Sequence, residues 1–113
     1  MTATPKVLAE YQDIPASAND FYVSPTSGKG SYIDKITSTN YSAGIVTVTV
    51  WLVPPAGSAA NSNKVVSTKS LAAGEAYTFP EIAGKFISPG GKLTAQCSAA
   101  TSANLGASGR EIT

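Results

Sequence analysis

Three Gly-Lys pairs, Gly28-Lys29, Gly84-Lys85 and Gly91-Lys92, are the nearest the sequence comes to a phosphate-binding loop. A Walker A loop needs a glycine five residues before the Gly of that pair and a Ser or Thr after its Lys. The backbone amides of such a loop cradle the phosphates, and the hydroxyl holds magnesium. All three pairs lack both residues and read as exposed hairpin corners. Nucleophilic catalysis by Ser or Cys usually needs a base, most often His. The 113 residues contain no histidine, and nothing marks a Ser–Lys pair as a substitute. Neither GxSxG nor GxGxxG occurs. Cys97 is the one cysteine, so it supplies neither a zinc site nor an intrachain disulfide. In LTAQCSA it shares a strand face with Leu93 and Ala95, which predicts a buried apolar thiol. Asp13, Asp20 and Asp34 match no calcium-loop spacing. The seven acids single out no pair for glycoside hydrolysis. No catalytic residue, metal ligand or cofactor is expected.

Charge is equally uninformative about chemistry. Eight Lys and Arg face seven acids, for a net charge of +1, and they are scattered singly. Binding to nucleic acid needs clustered cations to neutralise phosphates, so no nucleic-acid partner is expected. The longest apolar run, Val50–Pro55, is too short to span a bilayer. MTATPKVLAEYQD lacks the basic-then-apolar plan of a secretory signal. The expectation is a chain made in a cytoplasm and soluble there, without a membrane partner. The sequon Asn40-Tyr41-Ser42 then carries no weight. Ala, Ser, Thr and Gly number 17, 14, 12 and 10. They imply a polar but weakly charged surface, suited to packing against protein or simply typical of a Ser/Thr-rich sandwich.

The elements that must position any site read as strands. Length argues for one domain, and 42% hydrophobic residues argue for a folded core. Period-2 patterns dominate, and no stretch of ten or more residues has helical period. Residues 45–53, IVTVTVWLV, are the clearest case. Val46, Val48, Val50 and Leu52 point to a core, while Thr47, Thr49 and Trp51 point the other way. Further strands are predicted at Lys6–Gln12, Phe21–Val23, Ser31–Thr39 with a bulge, Lys64–Leu71, Glu75–Phe79, Lys92–Ser98 and Asn104–Ile112. Gly106 and Gly109 in the last strand predict a bulge or a close backbone approach. Pro54–Asn63 is the longest loop. Pro80–Gly84 has room for at most one short helical turn. The prediction is an all-β chain: a single antiparallel β-sandwich or jelly roll of about eight short strands. Residues 1–13 form an N-terminal arm or edge strand, and residues 14–113 form the sandwich domain.

From Ile14 onward the pieces occur in a recognisable order. They are IPASANDFYVSPTSGKGSYIDKITSTN, VTVTVWLVPPAGSAANSN, SLAAGEAYTFPEIAGKFISPGGKLTAQCSAA and ASGREIT. The order resembles that of a group of small tailed-bacteriophage virion proteins, over about 100 of the 113 residues. The resemblance implies a non-enzymatic structural protein of the virion, most readily a capsid decoration (cement) protein on the head surface. Its implied partners are the major capsid protein and neighbouring copies of itself, as a dimer or trimer, after synthesis in the bacterial host cytoplasm. The alternatives are a tail or neck component with Pro54–Asn63 as a receptor-facing tip, and a carbohydrate-binding module using Trp51 or tyrosines. Two sets of interface residues follow. Thr2, Pro5, Lys6, Leu8 and Tyr11 lie in an N-terminal segment able to add to a neighbour. Thr47, Thr49 and Trp51 lie on the non-core face of the clearest strand.

Overall fold

Alternation of Val with Thr and Trp in residues 46–53 places one side chain in two beneath the sheet, and the structure follows it. In a computed structural model describing Thr2–Thr113, the chain forms β1 (Ala3–Asp13), β2 (Asn19–Val23), β3 (Gly30–Asn40), β4 (Val46–Val53), β5 (Lys64–Leu71), β6 (Ala76–Tyr77), β7 (Phe86–Ile87), β8 (Lys92–Cys97) and β9 (Ala103–Ile112). Val46, Val48 and Val50 are buried in one core with Leu71, Leu93, Ala95, Ile33, Ile36 and Leu105. Each such aliphatic side chain contributes about 1.5–3 kcal/mol by leaving water.

The strands form two antiparallel sheets, as the sequence predicts. The first runs β1-β9-β3, with β6 and β7 both on the far edge of β3; the second runs β2-β8-β4-β5. β6 pairs with Ser38 and Thr39, and β7 with Ser31 and Tyr32. They are therefore two halves of one strand position, interrupted by a loop. Counted that way, eight positions pair first with last, second with seventh, third with sixth and fourth with fifth. This is an antiparallel hairpin rolled on itself, the winding of a jelly roll. Backbone bonds Thr2 N–H to Thr113 O (3.0 Å) and Thr113 N–H to Thr2 O (2.9 Å) lay the described ends side by side.

The interrupting loop keeps to the one short turn allowed at Pro80–Gly84. Phe79 O accepts from Ile82 N–H and Ala83 N–H, but no helix follows. Phe79 has φ +47° and Gly84 φ +90°, and Gly84 N–H turns back to Ile33 O. The chain is bent tightly so that Phe79 and Ile82, both fully buried, close the open side between the sheets. A 3-10 turn lies at Asn61–Asn63, at the end of the long loop.

Residues 3–13 pair with β9 along their length; Met1 lies outside the described residues. The register slips between Val7 and Ala9 and again between Ala9 and Gln12. Together with Pro5, which has no N–H, and Lys6 and Glu10, these bulges disfavour a further strand at this edge. The other edges are similarly guarded. β2 has five residues and a slip; β5 slips twice and carries Lys64 and Lys69.

Gly109 behaves as its place in a strand predicts: a Cβ there would overlap the Tyr32 carbonyl oxygen. Cys97 is buried among the core side chains.

Candidate functional site

Besides these guarded edges, the sandwich offers its two outer faces for contact. The outer face of the first sheet presents alternate residues of β1, β9 and β3. Val7 and Tyr11 stand 52% and 63% exposed. The Tyr11 ring lies on Gly106, where a Cβ would come within 2.7 Å of it. Glycine here is what allows the ring to lie flat. Val7, Ala9 and Tyr11 with Lys35, Thr37 and Ala107 line a groove of about 160 Å³. Farther along the same face, Arg110 lies over the Tyr32 ring (5.0 Å) and forks onto Asp34 (3.0 and 3.1 Å). Phe86, 45% exposed, leans against Tyr32 with ring centroids 5.0 Å apart.

The outer face of the second sheet carries Thr47, Thr49 and Trp51. Trp51 is only 7% exposed yet stands outside the core cluster. It lies between Thr94 on β8 and Lys64 on β5, its register partners, and the Lys64 ammonium sits 5.8 Å from the ring centroid. The chain itself therefore covers Trp51. Its ring presents no open platform to a sugar or a neighbouring subunit, contrary to the expectation for an interface tryptophan.

The N-terminal residues separate in the same way. Thr2 is tied to Thr113, and Pro5 lies opposite Arg110 on the edge strand. Leu8 is withdrawn into the core at 7% exposure, because the bulge turns it inward, and it presents no contact surface. Lys6, its side chain half-exposed, pairs with Glu111 at 3.2 Å. Of this set, Tyr11 is the large apolar side chain left in the open.

One constellation escapes the sequence altogether. The Tyr22 hydroxyl donates to Glu111 Oε2 (2.5 Å) and lies 2.7 Å from Ser31 Oγ, which lies 2.8 Å from Ser24 Oγ. Each hydroxyl has one hydrogen. The chain therefore runs one way: Ser24 donates to Ser31, Ser31 to Tyr22, Tyr22 to Glu111. Burial first, and then the Glu111 contact, push the Tyr22 phenol up to about 12. The Tyr22 hydrogen bond, helped by Lys6, holds Glu111 below the ordinary carboxylate range against the opposing effect of burial. Ser24 and Ser31 are fully buried, so neither meets a substrate. The network joins β2 of the second sheet to β1, β3 and β9 of the first. Sequence gave no signal for it, because Tyr22 and Glu111 are 89 residues apart.

Asn40 is a second structural polar residue. It is fully buried, donates to Gly44 O, Leu71 O and Ala72 O, and accepts from Ser42. The sequon asparagine is thus consumed in fastening the β3–β4 corner to the β5–β6 corner.

Comparison of the chain with family models, with curated proteins and with solved structures finds no match.

Proposed function

We propose that the chain is a non-enzymatic structural protein of a tailed-bacteriophage virion. In this reading it is a capsid decoration protein that docks on the major capsid protein and on copies of itself through the outer face of its first sheet. The observation that carries this reading is the Val7–Tyr11 groove, where two exposed apolar side chains stand together on one sheet face. Two further features support it. The order of motifs resembles that of small virion proteins. The jelly-roll winding also recurs among viral capsid domains, which is an analogy of fold and not of site.

Docking by a face suits a repeating lattice. Many modest contacts summed over neighbours give firm attachment without a deep pocket. Residues 3–11 act here as the mount of that face, because β9 already occupies the strand's inner edge. Copy number decides between this role and a tail or neck role. Quantitative mass spectrometry of purified particles should find the chain at the same order as the major capsid protein. A count lower by about one to two orders of magnitude would overturn the decoration role in favour of the tail or neck.

A further inference from the structure

The outer face of the second sheet holds a cavity of about 230 Å³ that the docking role leaves unused. Its walls are Thr47, Thr49 and Trp51 from β4, Lys64 and Thr68 from β5, and Gln96 from β8. No acidic residue lines it. Three of its polar groups are already engaged. Thr49 Oγ1 accepts from Thr68 N–H (3.1 Å), Gln96 Nε2 donates to Ala16 O (2.9 Å), and Ser98 Oγ accepts from Thr47 N–H (3.0 Å).

The remaining groups have no hydrogen-bond or ion-pair partner among the described residues. They are the Thr47 and Thr68 hydroxyls, Gln96 Oε1, the Trp51 indole N–H and the Lys64 ammonium, which is in no ion pair. The indole N–H is not among the buried polar atoms left without a partner, so it retains contact with solvent. Thr68, a β-branched residue, is held at φ +46°, which such residues rarely adopt. Backbone strain of this kind collects at binding sites because the surroundings hold the residue in place.

We infer that this cavity binds one sugar unit bearing a carboxylate, a uronic acid, by its edge. The hydroxyls and Gln96 Oε1 address the ring hydroxyls, while Lys64 and the indole N–H address the carboxylate. The cavity is below the usual range for drug-sized ligands, which fits a single ring and not an extended chain. Recognition is by hydrogen bonds and charge. Stacking on Trp51 plays no part, since Lys64 and the chain already cover that ring.

Trp51 is the single tryptophan, so its indole N–H gives one resolved resonance and its fluorescence reports one site. The purified chain is titrated with sodium glucuronate, with glucose, and with sodium acetate at matched ionic strength. Glucuronate should shift the indole resonance and the amides of Thr47, Thr68 and Gln96 saturably, with a Kd of about 1 mM. Glucose and acetate should each bind about tenfold more weakly, lacking the charge or the hydroxyls. Lys64→Gln and, separately, Thr47→Val should each weaken glucuronate severalfold with the melting temperature retained. The inference is overturned by the absence of a saturable shift, by equal shifts from acetate, by equal binding of glucose, or by unchanged affinity in both variants.

Discussion

The two outer faces are made of the same alternating strands, but they dispose of their large side chains in opposite ways. On the first sheet, Tyr11 rides above Gly106 and stays exposed, because the strand beneath it offers no side chain to embed it. On the second sheet, Trp51 sits between Thr94 and Lys64 and is covered. An aromatic outside the core is thus not by itself a contact residue; its register neighbours decide. Where they are glycine and alanine the ring stays free for a partner. Where they are threonine and lysine the ring is covered, and the residue contributes to the wall of a polar cavity.

The sharpest way to break this contrast is Trp51→Ala. If the chain itself uses Trp51, stability falls by about 3 kcal/mol, as for other buried large-to-small changes. Thermal unfolding should then move down by roughly 10–20 °C. Attachment to particles, measured per folded molecule below that temperature, should be unchanged. A stable variant that no longer attaches would move the docking face to the second sheet.

Tyr22→Phe tests the mount that fixes the two faces relative to each other. Glu111 and Ser31 lose their shared partner, and denaturant unfolding should show a loss of about 1–3 kcal/mol. The pH dependence follows from the signs. Glu111 is depressed in the folded chain, so its stabilisation is present above the unfolded carboxylate value of about 4.3 and is lost as pH falls through its lower folded value. The stability gap between the native chain and Glu111→Gln should hold from neutrality to about pH 5 and shrink below about pH 4. The raised Tyr22 phenol acts at the other end: its contribution is full below about pH 10 and is lost toward about pH 12.

The double variant Val7→Ser/Tyr11→Ser removes the open aromatic face without touching the core. Melting should change by no more than about 4 °C, while particle attachment weakens at least about tenfold. Retained attachment would remove the groove from the interface. Thr68→Gly is the smallest effect. Relief of a left-handed β-branched residue is partly offset by the freedom glycine gains in the unfolded chain, so a net gain of about 0.5 kcal/mol is expected in denaturant titration. A loss would mean that the Thr68 side chain itself holds the fold.

What the sequence made legible is the part that period 2 controls. The Val46–Val50 core face, the outward Thr–Trp row, the bulge in β3 and the close approach at Gly109 all follow from alternation and from missing side chains. Coverage of Trp51 was not legible, because it depends on which residues stand across the sheet from it. The Ser24–Ser31–Tyr22–Glu111 chain was hidden for the same reason, since jelly-roll winding brings chain ends together. Residues 3–13 carry little core signal of their own, because an edge strand on a sandwich buries only Leu8 and Ala9.

The most direct measurement is amide hydrogen exchange of the chain on intact particles against the free chain. Added protection should fall on residues 7–11, 35–37 and 106–108, around the Tyr11 groove, and spare residues 47–51 and 94–96. Protection confined to the second sheet, or none at all on the particle, would contradict docking through the first.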